Sequence, residues 1–100
     1  MADKPTRRLL ISPAAEADLA EIWAYIADDS SKAATVFVEQ IEGKFRPLRD
    51  FPGIGSIRDQ IASGLRALPY KNYVIYYVFT DADVTIVRVL HGARDVRALF

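Results

Sequence analysis

The chain has 100 residues, 51% apolar and 26% charged, with thirteen Lys and Arg balancing thirteen Asp and Glu for a formal net charge of zero. That length holds one hydrophobic core and excludes a second domain, and the zero balance excludes a general attraction to nucleic acid or to a lipid surface. The lack of cysteine excludes disulfides and thiolate metal sites, and the longest apolar run, Tyr73 to Phe79, is far short of the roughly 20 residues that cross a bilayer.

In chain order, residues 1–8 read as a polar tail and the start of strand one, and 9–100 as a single domain. Only three apolar residues separate Arg8 from Ser12-Pro13, so no signal-peptide hydrophobic region is present and a cytoplasmic protein is expected. Arg7 to Ile11 is a run of strand length. Ser12 suits a helix N-cap and Pro13 a first helical position, where a missing N–H costs nothing. Ala15, Leu19, Ile22, Trp23 and Ile26 then form one apolar stripe of helical period, with Glu16, Asp18, Glu21 and Asp28 mainly off it.

Asp28 to Ser31 breaks that pattern and offers new N-caps. Ala34, Phe37, Val38, Ile41, Phe45 and Leu48 follow with helical spacing, and Pro47 predicts a kink or an end near Arg46. The two helices form an antiparallel hairpin. Pro52 to Gly64 has no visible period and reads as a loop with a short helical turn at most. Leu65 to Tyr70 reads as a strand that Pro69 confines to an edge or an end. Lys71-Asn72 is a tight-turn candidate. Tyr73 to Thr80 is the strongest strand signal, dense in β-branched and aromatic residues, and Asp81-Ala82 turns into Val84 to His91.

Strict alternation from a tight Asp81-Ala82 turn places Tyr73, Ile75, Tyr77, Phe79, Val84, Ile86, Arg88 and Leu90 on one sheet face. The other face then carries Val74, Tyr76, Val78, Thr85, Val87, Val89 and His91. Both are largely apolar, yet one helical hairpin covers only one. Either a partner covers the second, or the long loop or the C-terminal tail folds over it.

Titratable groups are sparse in the β half. The single histidine, His91, has no evident nucleophile partner, and no metal-ligand spacing occurs, so neither catalysis nor a metal or other cofactor is expected. Arg88 stands out in an apolar strand, because a buried guanidinium needs a carboxylate. Asp18 or Glu21 can supply it if the first helix crosses that face; the expected structural pair is Arg88 with Asp18. Residues 61–100 hold five basic and three acidic side chains, too few and too scattered for the clustered stripe of a nucleic-acid binder.

Four segments together resemble a known family. They are Leu10 to Leu19 with Glu21 to Ile26; Phe51-Pro52-Gly53-Ile54-Gly55; Gly64 to Pro69 leading into Tyr73 to Tyr77; and Arg88 to Asp95. Their order and spacing are similar to those of ParE toxins in the RelE/ParE superfamily of plasmid stabilisation proteins. The resemblance implies an α+β fold: an N-terminal strand, an antiparallel helical hairpin, then a three-stranded antiparallel meander forming one sheet with strand one. It also implies the toxin half of a type II toxin–antitoxin pair, bound and neutralised by a ParD-like antitoxin usually encoded beside it.

Members of the ParE type act on DNA gyrase, whereas RelE-type members cut mRNA in the ribosome using cations on the exposed sheet face and after the last strand. Here the matching positions are Val74, Tyr76 and Val78, then Gly92, and the chain ends Ala98-Leu99-Phe100 without the terminal tyrosine of the ribonucleases. A gyrase inhibitor that works by binding is therefore expected, with no membrane contact and no sequence-specific nucleic-acid binding on its own. The alternatives are a RelE-type ribonuclease or an inactive homologue retained as an antitoxin partner. Expected target contacts are His91, Arg94 and Arg97. Expected antitoxin contacts are Val74, Tyr76, Val78, Val87 and Val89.

Overall fold

The computed structural model describes residues 6–100; the first five residues of the expected tail lie outside them. Strand β1 (Arg8–Ile11) leads into α1 (Pro13–Ala27), whose first turn is capped by the Ser12 hydroxyl accepting the Ala15 N–H at 3.0 Å. The Ser30 hydroxyl caps α2 (Ser31–Glu42) in the same way through Ala33 N–H, at 3.1 Å. Strands β2 (Ser56–Ile57), β3 (Arg66–Tyr70), β4 (Tyr73–Phe79) and β5 (Asp83–His91) complete a five-stranded sheet of order β1-β5-β4-β3-β2. The β1–β5 pair is parallel and the remaining pairs are antiparallel, which is the expected α+β architecture with one short strand added.

Local chemistry explains where the elements stop. Helix α2 ends at Glu42, earlier than the Arg46 boundary read from periodicity. Pro47 lacks an N–H and its ring would clash with the Gly43 carbonyl, so the chain tightens into a 3-10 turn over Arg46–Arg49 that still points Phe45 and Leu48 into the core. Trp23 is not part of the buried stripe. It is partly exposed, and its indole N–H donates to the Thr35 hydroxyl at 3.1 Å. β2 lies within the segment expected to be loop, since two residues carry no period. It pairs only with Ala67 and Arg66, so Pro69 faces an open edge where a missing donor costs nothing. Tyr70 opposite Tyr73 makes Lys71-Asn72 a two-residue turn, with Lys71 at φ +52°.

One irregularity reorganises the sheet. Phe79, Val78 and Tyr77 face Val84, Thr85 and Ile86, but Tyr76 faces Arg88, so Val87 is an extra residue in β5. Beyond Arg88 the side chains change face relative to strict alternation, while Arg88 itself still reaches Asp18 on α1. Val89 joins the helix-side core and Leu90 moves to the opposite side, a correction of the face assignment above. The displaced backbone groups find partners on α1. The Ser12 hydroxyl donates to the Val87 carbonyl at 2.7 Å, and the Val89 N–H donates to Asp18 at 2.9 Å. The bulge is thus keyed to the helix start.

The helices and one sheet face enclose the main core, including Leu19, Ile22, Ile41, Phe45, Ile75, Tyr77 and Ile86. The second face carries a smaller core of Leu65, Ala67, Tyr76 and Leu90, packed by Ile61, Ala62, Val96 and Leu99. Phe100 stacks edge-on against Tyr76 with ring centroids 5.2 Å apart. Between the two coverings left open by the sequence, the long loop and the C-terminal tail are those found. The expectation that Val74, Tyr76 and Val78 stand outward is corrected accordingly: Tyr76 is only 7% exposed, while Val74 and Val78 are half-buried.

Tyr77 shows how the main core meets the loop. Its hydroxyl donates to the Pro52 carbonyl at 2.6 Å and accepts the Gly55 N–H at 2.8 Å. Burial pushes the Tyr77 phenol above the ordinary 10.0, against smaller lowering effects from the Gly55 N–H and Arg66. Tyr73 is raised as well, by burial first and by Tyr25 second. A folded-state pKa above the unfolded value gives stability that is full below pH 10.0 and declines as pH rises beyond it. The expected result in chemical denaturation is a flat midpoint from these phenols up to about pH 9.5 and a falling one above pH 10. Tyr77→Phe should reduce that alkaline slope; an unchanged slope in Tyr77→Phe and Tyr73→Phe together would refute the assignment.

Candidate target and partner surfaces

Where β5 passes under α1, Asp18 and Arg88 make a two-pronged ion pair. Arg88 Nε donates to Oδ2 and Nη2 to Oδ1, both at 2.8 Å. With the Val89 N–H, Asp18 accepts three hydrogen bonds while only 4% exposed. The pairing raises the Arg88 pKa further above its usual value, chiefly through the Asp18 hydrogen bond. Asp18 lies one turn from Ala15 and Ile22 and so shares the buried stripe, contrary to its off-stripe reading. The pair anchors helix to sheet.

Beside this pair is an open cleft of about 140 Å³ lined by Asp18, Glu21, Tyr25, Tyr73, His91 and Arg94 among others. The end of β5 supplies His91, which the bulge turns toward the helix side. Its ring lies edge-on to Tyr73 at 5.4 Å between centroids. His91 Nδ1 accepts the Ala93 N–H at 3.1 Å, which leaves Nε2 to carry the proton of the neutral imidazole. Arg94 follows in a turn closed by its own N–H on the His91 carbonyl, at 3.1 Å. Arg97 does not join them. It is a solvent-facing side chain 3.8 Å from Asp95, too loose and too exposed to fix either group.

A charged, aromatic-walled depression of this kind suits recognition of a polar protein surface. Among the described residues no group of three or more His, Cys, Asp or Glu is placed to hold a metal ion, and no helix is long and apolar enough to cross a membrane.

The residues expected to meet an antitoxin divide in two. Val74, Val78 and Val87 keep part of their surface in solvent. Tyr76 lies beneath the tail, and Val89 is 2% exposed inside the main core because the bulge carried it there. Neither can touch a partner without rearrangement of this chain.

A family model described as the ParE toxin of the type II toxin-antitoxin system, parDE, matches residues 9–96. The chain belongs to the ParE toxin family. This ParE-type toxin is 33% identical over 91 residues to Toxin ParE1 of Mycobacterium tuberculosis, covering 89% of this chain and 93% of that protein. Identity to Toxin ParE3 of Caulobacter vibrioides is 29% over 82 residues, 81% of this chain and 82% of that one. A chain of the chromosomal ParDE TA system from P. aeruginosa superimposes with a TM-score of 0.74 at 21% identity, over 86% of this chain and 96% of that chain; the two share the fold.

Two features of this ParE-type toxin lie outside the periodic pattern of its sequence. Tyr25, 75% exposed, walls the cleft from α1; its place off the apolar stripe was a usable signal, since an exposed aromatic on a charged helix face is uncommon packing. Phe51, Ile54 and Ile57 stand in solvent just before and within the Pro52 to Gly64 loop. Three large apolar residues within seven positions of a Gly-rich segment were the signal there.

Proposed function

We propose that this ParE-type toxin acts by binding, that its target is DNA gyrase, and that a ParD-like antitoxin neutralises it in the cytoplasm. The observation that carries this reading is the second apolar core. The outer sheet face, where RelE-type ribonucleases carry cations, is filled by Leu65, Tyr76, Leu90, Val96 and Leu99. A phosphodiester approaching that face would meet hydrocarbon instead of the charge-stabilising donors that cleavage needs. Gly92, at the position matching the ribonuclease arginine, is occupied in structure: its N–H donates to the Asn72 carbonyl at 2.8 Å. The target contact is assigned to His91 and Arg94 at the cleft with Arg97 beyond it, and the antitoxin contact to Val74, Val78 and Val87.

Induced expression with and without the neighbouring gene tests this. Gyrase-dependent DNA breaks and an SOS response, both suppressed by the neighbour, are expected. Codon-positioned mRNA cleavage would make the protein a ribonuclease, and normal growth would make it an inactive homologue. In the toxic case, His91→Ala with Arg94→Ala should reduce DNA breaks at least about tenfold with the thermal midpoint unchanged, since both side chains are exposed.

A further inference from the structure

The end of the molecule away from His91 carries cations that make no ion pair among the described residues, beside an exposed apolar ridge. Arg7 and Arg66 both lie against the Phe79 ring, each guanidinium carbon 5.6 Å from its centroid. Arg7 donates to the carbonyls of Thr80 and Arg49 at 2.7 and 3.2 Å, and Arg49 returns a bond to the Arg7 carbonyl at 2.9 Å. Arg66 donates to the Gly55 and Gly53 carbonyls at 2.9 and 3.3 Å. Their partners are thus neutral carbonyls. Ion pairs among the described residues involve Arg8, Arg88 and Arg97 instead.

The apolar part rises from the loop these bonds hold. Phe51, Ile54 and Ile57 are 66%, 55% and 57% exposed. The loop is fixed from below by the Tyr77 hydroxyl and from the side by Arg66, so the ridge is rigid before anything binds it. Preorganised apolar side chains flanked by arginines are the composition of a protein-binding hot spot. Three guanidiniums that make no ion pair among the described residues, with Asp59 the one carboxylate lining the hollow of Arg66 and Phe79, favour an acidic occupant.

We infer that this surface docks an acidic, apolar segment of the antitoxin, with its apolar side chains on Phe51, Ile54 and Ile57 and its carboxylates toward Arg7, Arg49 and Arg66. The inference rests on the antitoxin reading above and places a contact outside the sheet face named there.

Titration calorimetry of the purified full chain with the protein encoded beside it separates the two. Wild-type chain that binds nothing overturns the antitoxin reading itself. If wild type binds, Phe51→Ser with Ile57→Ser should weaken the complex at least about 100-fold while leaving the thermal midpoint in place. Arg7→Gln should weaken it about 5- to 10-fold and flatten its dependence on NaCl, whereas Lys71→Gln on the β3–β4 turn should not. Undiminished affinity in the Phe51/Ile57 variant overturns the docking surface. An unchanged salt dependence in Arg7→Gln overturns the acidic character of its occupant. Binding of a 20-base-pair duplex that Arg7→Gln abolishes, with antitoxin affinity intact, would assign the cations to nucleic acid and likewise overturn it.

Discussion

Asp18→Ala is expected to lower the stability of the folded chain by about 3–5 kcal/mol, the cost of leaving one member of a buried ion pair alone. Against the roughly 5–15 kcal/mol that holds a domain of this size, such a loss brings the protein near unfolding at 37 °C. Two costs combine. Arg88 loses the carboxylate that accepts both of its bonds, and the Val89 N–H at the bulge loses its acceptor. The pair Asp18→Leu with Arg88→Met separates them: removing both charges should recover about 2 kcal/mol of the loss, leaving a deficit of about 1–3 kcal/mol for the unpaired Val89 N–H. Urea denaturation of Asp18→Leu, Arg88→Met and the double variant measures this coupling. A strictly additive double variant, or an Asp18→Ala protein within about 0.5 kcal/mol of wild type, would remove the ion pair as the link between α1 and β5.

Gly55→Ala is expected to be nearly as damaging, although it adds one carbon to an exposed-looking loop. A Cβ at this position would lie 2.5 Å from the Tyr77 hydroxyl and 2.8 and 2.9 Å from two of its ring carbons. Tyr77 is wholly buried and cannot swing away, so the loop must lift. Overpacking of this kind costs about 1–3 kcal/mol, and each Tyr77 hydroxyl bond lost adds about 1 kcal/mol. For a domain of this length the thermal midpoint should fall by more than about 10 °C. Gly53→Ala is the matched control, because its added carbon would meet nothing within 4 Å. Equal losses in the two variants would refute the steric account. Lifting the loop would also move Phe51, Ile54 and Ile57, so Gly55→Ala couples the core to the surface proposed for the antitoxin.

Short-range chemistry was the readable part of this chain. Ser12-Pro13 marked the start of α1, and the Lys71-Asn72 and Asp81-Ala82 pairs located both tight turns, because caps and turns depend on a few adjacent residues. The Asp18–Arg88 pair was legible for a different reason. A guanidinium inside an apolar strand demands a carboxylate, and the first helix offered few. The bulge at Val87 was not legible, since nothing in Ile86-Val87-Arg88 departs from a regular strand. Its stabilising partners, Ser12 and Asp18, lie some seventy residues earlier in the chain.

That single bulge decided which side chains reach the candidate sites. It moved His91 to the helix side beside Tyr73 and Arg94, and it withdrew Val89 from the surface. The C-terminal tail likewise decided the second sheet face, through apolar contacts of Val96, Leu99 and Phe100 that no periodicity announces.

Composition and local signals were therefore sufficient for the helical hairpin, the antiparallel meander and the exclusion of a broadly cationic surface, because each follows from residues near one another or from simple counts, while the family came from the likeness of four segments to ParE toxins. Zero net charge, however, concealed an uneven distribution. Only the folded chain brings Arg7 and Arg66 onto Phe79 and Arg49 against Arg7, since these residues come from before β1, from β3 and from after α2, and side-chain proximity across such separations is a property of packing.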